Sequence, residues 1–220
     1  MLLKLLKKLP FWRRYTTKQN AEWWTKRVIN WKTDYLDTWQ HPHREVISAM
    51  LSHFSWLSLI EIGCGPGANL INILKHFKGK QVGGIDVNKD AIILAQKTFR
   101  DGLFKVCEGN DVMLSDKSTD VVLTDMTLIY IGPLKIDSYI EEIKRIARNH
   151  VVLCEFHSSN PFKRIWLKMF SGYNAYDYRK LLKKHGFYDI IRYKLAESDW
   201  PNGTHQKEFG YIFTARVPKR

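Results

Sequence analysis

Apolar runs and helical apolar stripes alternate along the chain from Trp56 onwards. Apolar runs ending at Ile62 and Asp86, and further runs over 103–108, 119–124 and 150–155, predict five strands. Between them, apolar positions recur at helical spacing near 68–77, 91–99 and 136–148. Strands that alternate with helices predict a parallel sheet covered by helices.

The last third of the chain departs from this alternation. Residues 174–185 have a helical pattern that Gly186 ends, and two further strands are predicted over 187–195 and 208–217. A polar loop, 196–205, joins these two strands. The segment Asn160-Pro161-Phe162, after the fifth strand, is interpreted as a turn.

Two segments before Trp56 are predicted to be helical. In residues 19–38, Trp24, Val28, Trp31 and Tyr35 fall on one stripe, which favours a core position for Trp24 and leaves Trp31 and Tyr35 open between core and pocket. Pro42 can start a second helix. His41 and His43 are two residues apart without a third metal ligand nearby, so 41–44 is interpreted as an exposed helix start.

A glycine turn follows the first strand. Gly63, Gly65 and Gly67 allow positive φ and carry no Cβ that would keep a flat ligand from the backbone. The N–H groups of the next helical turn then face a ligand. Taken alone, the run fits a ligand site and a plain connection equally well.

The second strand ends in a carboxylate, Asp86, 19 positions after Gly67. An acidic residue about 20 positions beyond a glycine turn typically binds ribose hydroxyls. Dinucleotide sites more often read Gly-x-Gly-x-x-Gly, and here the third position after Gly65 is Ala68. The spacing therefore disfavours a dinucleotide site.

Residues 59–70 and 81–88 resemble the class I methyltransferases that use S-adenosylmethionine, whose first motif reads acidic-x-Gly-x-Gly-x-Gly. With the order of elements, the resemblance covers about 56–217. It implies an α/β, Rossmann-like, doubly wound, seven-stranded sheet with an antiparallel last strand and N-terminal helices. We expect a cap or acceptor segment over 1–55 and the methyltransferase domain over 56–220.

The resemblance also implies cofactor-binding residues. Asp86 matches the ribose carboxylate and Val87 the residue that packs on adenine, while Asp111 matches the partner of the adenine amino group. Three of the predicted residues also have a purely structural interpretation. Glu61 could end a strand, Asp86 could be a turn residue and Asp111 could cap a helix. The full predicted set is Glu61, Gly63, Cys64, Gly65, Gly67, Asp86, Val87, Asn110, Asp111, Val112 and Thr124.

Catalytic residues are less specified, because methyl transfer depends largely on positioning and needs a base only for a protonated acceptor. Asp125, Tyr130 and His157 are the candidates at the sheet edge. Many relatives carry histidine near the position of Tyr130, so a histidine base is not expected there. His157 has a surface-loop alternative, and no metal site is recognisable.

Charge adds information about partners. The net charge is +13, and it lies at the ends: residues 1–60 hold ten Lys/Arg against four Asp/Glu, and residues 160–220 hold thirteen against five. Basic ends favour an anionic acceptor, nucleic acid or an anionic surface, or form a solvated face. Three cysteines without paired spacing indicate a reduced, cytoplasmic protein.

The first nine residues place leucines on one helical face and lysines on the other. This segment is too short to span a bilayer. Together with residues 10–14 it fits an anionic membrane surface, here the inner surface, or a helix packed on its own domain or on a partner.

The sequence therefore predicts a methyltransferase acting on O or N of a small or glycan-related acceptor. The stretch 127–156 is similar to methyltransferases found with bacterial surface-sugar biosynthesis. An RNA methyltransferase using the basic ends is the second interpretation. The third is a non-catalytic nucleoside-binding or membrane-associated scaffold, and the oligomeric state is not predicted.

Overall fold

The computed structural model describes residues 21–219, in which seven strands form one sheet. The strands are β1 Ser58–Ile62, β2 Gln81–Asp86, β3 Leu103–Val106, β4 Thr119–Asp125, β5 Ala147–Phe156, β6 Tyr188–Lys194 and β7 Gly210–Arg216. Their order is β3-β2-β1-β4-β5-β7-β6, and β7 is antiparallel to both neighbours. This Rossmann-like sheet confirms the predicted fold class.

Nine α-helices lie among the described residues: α1 Ala21–Thr25, α2 Trp31–Asp34, α3 Pro42–Leu51, α4 Ala68–His76, α5 Lys89–Thr98, α6 Ile136–Ile146, α7 Pro161–Ser171, α8 Tyr178–Lys184 and α9 Gln206–Phe209. Alternate side chains of a strand face opposite layers. In β5, Val151 and Leu153 pack with α6 and α8, whereas Val152 and Cys154 pack with α3, α4 and α5. The sheet is therefore covered by helices on both faces.

The predicted helix over 19–38 is broken, and this expectation was wrong. Between α1 and α2 the chain is irregular, and Val28 is 89% exposed instead of lying on the aromatic stripe. The Asn88 side chain donates to the carbonyls of Trp24 at 2.8 Å and Arg27 at 3.0 Å. Because these carbonyls are satisfied from outside the helix, α1 can end there.

The turn predicted at Asn160 is instead the start of helix α7. The Asn160 side chain accepts hydrogen bonds from the backbone of Phe162 at 2.9 Å and Lys163 at 3.3 Å, and Pro161 occupies the first helical position. Gly172, at φ +80°, ends the helix. An Asn-Pro pair therefore caps a helix here, which the turn interpretation overlooked.

The prediction for the first residues of the chain falls outside the described range. The helix over 1–14, with its membrane contact, lies there, so the structure describes nothing of it. Within residues 21–219, no helix is both long and apolar enough to cross a membrane. The division between 1–55 and 56–220 stays a prediction.

Candidate cofactor and acceptor site

A cavity of about 440 Å³ lies at the carboxyl ends of β1, β2 and β4. Its lining includes Gly63 after β1, Asp86 at the end of β2 and Asp125 at the end of β4. β1 leads into α4 on one face of the sheet, whereas α6 after β4 packs on the other face. The cavity thus occupies the topological switch point, where ligands bind in sheets of this kind.

The glycine turn has the backbone that its sequence requires. Gly63, Gly65 and Gly67 have φ values of +75°, +51° and +93°. A Cβ would collide with the Thr127 side chain at Gly63 and with the Phe99 ring at Gly67. At Gly65 the nearest atom is on Trp31, 3.8 Å away, so this backbone is open towards the cavity.

Asp86 is fixed beside this turn. One carboxylate oxygen accepts from the Gly65 N–H at 2.9 Å and the other from the Asn88 N–H at 2.8 Å. Burial raises the pKa of Asp86, against the effect of these backbone donors. The carboxylate still lines the cavity, so it can accept hydrogen bonds from vicinal hydroxyls.

Buried polar groups lie beside the glycine turn. Asn69 donates to Glu61 at 2.5 Å and to Asp125 at 3.0 Å. Within residues 21–219, Glu61 Oε2, Asp125 Oδ1 and the Nε of buried Arg44 have no hydrogen-bond partner. Burial raises the pKa of Glu61, and the neighbouring Asp125 raises it further. These unpartnered oxygen atoms beside the buried Arg44 guanidinium fit an α-amino and α-carboxylate group such as those of S-adenosylmethionine.

The remaining predicted cofactor residues divide into two groups. Cys64 and Val87 line the cavity, and the Cys64 thiol contacts the Gly65 carbonyl at 3.3 Å. Outside the lining lie Gly67, Asn110, Asp111, Val112 and Thr124.

Residues 110–112 follow Gly109, which does line the cavity. Asp111 is exposed, and its backbone N–H donates to the Glu108 carbonyl at 3.2 Å. Asn110 Oδ1 is buried and unpaired among the described residues. Neither residue lines the cavity, and both roles stay predictions.

Asp125, which Asn69 joins to the polar groups beside the glycine turn, also begins a chain of side chains that leads to His41. His43 Nε2 lies 2.8 Å from Asp125 Oδ2, and His43 Nδ1 lies 2.5 Å from His41 Nδ1. Both histidines line the cavity, although His43 is only 2% exposed. When His43 donates to Asp125 and accepts from His41, the second nitrogen of His41, Nε2, keeps its lone pair.

Two shifted pKa values are found along this chain of side chains. Burial opposes ionisation of Asp125, but the charge and hydrogen bond of His43 hold its pKa below the usual value. Burial and then the neighbouring His43 lower the pKa of His41 to about 4. His41 is therefore a neutral imidazole at neutral pH. Trp200, from the loop before β7, stacks on His43 with ring centroids 3.9 Å apart.

Aromatic rings close the cavity. Trp24 and Trp31, whose centroids are 6.2 Å apart, and Tyr35 all line it. The core interpretation of Trp24 was therefore incomplete. Tyr130 packs edge-on to Trp24 at 5.3 Å, and burial followed by nearby Tyr173 raises the pKa of its phenol. Tyr130 is consequently a neutral hydrogen-bond donor rather than a base.

The position of Tyr130 depends on Glu155. This carboxylate is fully buried and accepts from the backbone N–H groups of Thr127 at 3.1 Å and Leu128 at 3.0 Å. Burial raises the pKa of Glu155 to about 8, although the backbone donors oppose the shift. Glu155 thus holds the turn that carries Tyr130. This positioning role was not predicted from the sequence.

His157 does not line the cavity. Its ring lies 4.9 Å from both Tyr211 and Phe213, and its Nδ1 is 3.0 Å from the Tyr176 carbonyl. The side chain is buried, so the surface-loop alternative was wrong. Its catalytic role remains a prediction to which the cavity geometry adds no support.

The interpretation of His41 to Arg44 as an exposed helix start was also wrong. His43 is 2% and Arg44 is 9% exposed, because α3 turns this end towards β4. Pro42 does occupy the first helical position, as expected. The available signal was the pair of histidines beside an arginine, but their partner, Asp125, lies 82 positions away.

Comparison with known proteins agrees with the fold and the glycine turn. A family model described as a methyltransferase domain matches residues 59–150. Carboxy-S-adenosyl-L-methionine synthase 1 of Yersinia pseudotuberculosis is 26% identical over 125 residues, which are 53% of this chain and 52% of that protein. A putative 23S rRNA (guanine-N(1)-)-methyltransferase of Bacillus subtilis is 34% identical over 91 residues, 38% of this chain and 32% of that protein.

Among solved structures, geranyl diphosphate C-methyltransferase from Streptomyces coelicolor has a TM-score of 0.66 at 12% identity. The match covers 96% of this chain and 99% of that one. The fold is thus that of the Rossmann-like methyltransferases. The family-model match over residues 59–150 and this fold agree with the resemblance to the class I S-adenosylmethionine-dependent methyltransferases. It spans about half the length, or less, of the curated relatives it matches.

Proposed function

We propose that the protein transfers the methyl group of S-adenosylmethionine to an oxygen or nitrogen atom of a small, glycan-related acceptor. The observation that carries this proposal is the chain from His41 through His43 to Asp125, in the same cavity as the glycine turn and Asp86. A base beside a nucleoside cradle suits an acceptor that must lose a proton.

At the cofactor end, Asp86 accepts hydrogen bonds from the ribose hydroxyls and Val87 packs on the adenine. The unpaired oxygens of Glu61 and Asp125 receive the ammonium group, and Arg44 pairs with the carboxylate. When bound, S-adenosylmethionine supplies an electrophilic methyl group on a sulfonium. These contacts fix its orientation in the cavity.

At the acceptor end, the lone pair of the acceptor oxygen or nitrogen bonds to the methyl carbon. His41 Nε2 takes the proton that this O–H or N–H group releases. The positive charge that develops on His41 is shared with His43, and ionised Asp125 stabilises it. Bound S-adenosylmethionine would keep the S–CH₃ bonding electrons on its sulfur and would be left as a neutral thioether.

The size and walls of the cavity favour a small acceptor group. A volume of about 440 Å³ must hold both the donor and the reacting part of the acceptor. Trp24, Trp31 and Trp200 supply aromatic faces, which pack on the C–H face of a sugar ring and exclude water. Tyr130 provides a neutral O–H to orient the acceptor.

RNA is a second candidate acceptor. The basic ends of the chain and the match to a putative rRNA methyltransferase favour it. A nucleobase flipped into the cavity would meet the same aromatic walls.

The test is transfer of labelled methyl from S-adenosylmethionine by the full chain to a panel of anionic sugars, nucleotide sugars and total RNA, with mass spectrometry of the products. The proposal expects an O- or N-methylated sugar. Methylation of RNA alone would establish the second candidate. Binding of S-adenosylhomocysteine without transfer to any of these acceptors would contradict both.

A further inference from the structure

Asn88 uses both ends of its side-chain amide. The oxygen caps α5 by accepting from the backbone N–H groups of Asp90 at 3.0 Å and Ala91 at 3.1 Å. The nitrogen donates to the carbonyls of Trp24 at 2.8 Å and Arg27 at 3.0 Å. Because both donors and both acceptor sites of the amide are occupied and the residue is only 2% exposed, its orientation is fixed.

A helix cap alone does not account for this side chain. The N-cap position needs only a side-chain oxygen, which serine or aspartate supplies as asparagine does. The NH₂ group is the additional feature. It joins the start of α5 to residues 21–30, which contain α1 and the irregular chain after it, across 61 and 64 positions of sequence. The side chain therefore has a second role.

The stretch that the NH₂ group holds carries part of the cavity wall. The Trp24 ring lines the cavity and packs edge-on against Tyr130 at 5.3 Å and Tyr35 at 6.3 Å. The Arg27 guanidinium lies over the same ring, 5.0 Å from its centroid. Asn88 thus holds the backbone of two residues, Trp24 and Arg27, that set where this aromatic ring lies.

The backbone of Asn88 contacts the carboxylate that is assigned to the ribose. Its N–H donates to Asp86 Oδ1 at 2.8 Å, while Asp86 Oδ2 accepts from the Gly65 N–H at 2.9 Å. One residue therefore joins the carboxylate at the cofactor end to the aromatic wall at the acceptor end. Its backbone serves the first end, and its side chain serves the second.

We propose that Asn88 is a positioning residue, which holds Trp24 and the aromatic wall around it in a fixed place relative to Asp86. Loss of the NH₂ group removes the hydrogen bonds from α5 to Trp24 and Arg27. The backbone N–H of residue 88 still holds Asp86, so the cofactor end keeps its geometry. The use of this wall by an acceptor rests on the proposed function, whereas the position of Trp24 is measured without donor or acceptor.

The experiment replaces Asn88 with serine in the full chain. Asn88→Ser keeps an oxygen that can cap α5 but lacks the NH₂ group. Amide hydrogen exchange, followed by mass spectrometry, should become at least about tenfold faster over residues 22–31, because the hydrogen bonds that hold this stretch are lost. Exchange over residues 89–98, which form α5, should stay within about twofold of the wild type, because the cap is kept.

A second readout follows Trp24 itself. In protein labelled with fluorotryptophan, the fluorine resonance of Trp24, assigned by its absence from Trp24→Phe, should shift in Asn88→Ser. The matched control is Asn160→Ser, which alters the asparagine cap of α7 outside the cavity lining. It should change neither this resonance nor the exchange over residues 22–31. S-adenosylhomocysteine should bind Asn88→Ser with nearly the Kd of the wild type.

The outcomes separate this role from a simple cap. An unchanged Trp24 resonance and unchanged exchange over residues 22–31 in Asn88→Ser would overturn the proposal and leave Asn88 as a helix cap. Equal acceleration of exchange over residues 22–31 and 89–98 would also overturn it, since the cap itself would then be lost. If the wild type binds no S-adenosylhomocysteine while exchange and resonance change as expected, the proposed function fails and the positioning role of Asn88 stands.

Discussion

The two ends of the cavity are held by different kinds of hydrogen bond. At the cofactor end, backbone holds the site: Gly63 and Cys64 both donate to the Ile85 carbonyl, at 2.8 and 3.0 Å, and Gly65 fixes Asp86. At the acceptor end, side chains hold one another, from His41 through His43 to Asp125. Backbone hydrogen bonding between adjacent strand ends keeps the shape of the first end, whereas the second end depends on side chains that a single substitution can remove. Variants should therefore separate binding from turnover.

The largest effect is expected for His41→Ala. Loss of the proposed general base should lower kcat by about 10²- to 10⁴-fold. Affinity for S-adenosylhomocysteine should stay close to that of the wild type, since no predicted cofactor contact is removed. Single-turnover kinetics and calorimetric titration measure the two quantities.

The matched control for this variant is His53→Ala, because His53 is exposed beyond α3. It should leave both quantities unchanged. Normal turnover of His41→Ala would mean that no base acts there, and the acceptor end would be only a binding surface.

Asp86→Ala should act on the opposite end. Removing the carboxylate that receives two ribose hydroxyls should raise the Kd for S-adenosylhomocysteine by about 10- to 100-fold. The fold should remain, because the strand itself is held by backbone pairing. Calorimetric titration beside exposed Asp101→Ala checks the assignment. An unchanged affinity for Asp86→Ala would remove Asp86 from the ribose site.

A smaller loss is expected for Trp200→Ala. The stacked ring on His43 contributes about 0.5–1.5 kcal/mol, so turnover should fall by up to about tenfold while cofactor affinity is kept. Trp166→Ala, outside the cavity, is the matched control. A change in cofactor affinity, without a change in turnover, would place Trp200 at the cofactor end of the cavity and contradict its assignment to the acceptor end.

The smallest change is expected in the pH profile. Because the pKa of His41 is lowered to about 4, its lone pair is present above that value and is lost as pH falls through it. Between about pH 7.5 and 5.5, kcat/KM should change by less than about twofold, whereas an unshifted histidine would lose about tenfold. A fall in kcat/KM near the ordinary histidine pKa would contradict the lowered pKa of His41. Circular dichroism at each pH checks that the protein stays folded.

The same contrast explains how far sequence reasoning reached. The glycine turn and Asp86 were predictable, because strand ends in a parallel sheet converge and the spacing from Gly67 to Asp86 encodes that geometry. Most strands also followed from apolar periodicity. Helix α7 did not, since its apolar side faces solvent and its cap was interpreted as a turn.

The acceptor end was only partly predictable. Asp125 and Tyr130 follow β4, so the sheet edge indicated them. The partner of Asp125, His43, comes from α3, and the ring that stacks on His43, Trp200, comes from the loop before β7. Side-chain pairing across 82 residues leaves no local pattern, and His43 therefore read as exposed. His157, chosen because it follows β5, instead pairs with the Tyr176 carbonyl beside the sheet.

The most direct test of the account is calorimetric titration of the full chain with S-adenosylhomocysteine, beside NADH. The account predicts one saturable site for S-adenosylhomocysteine, weakened in Asp86→Ala and kept in His41→Ala, and no binding of NADH. Equal binding of S-adenosylhomocysteine and NADH would contradict the assigned cofactor site. A loss of affinity in His41→Ala as large as in Asp86→Ala would contradict the division of the cavity into a cofactor end and an acceptor end.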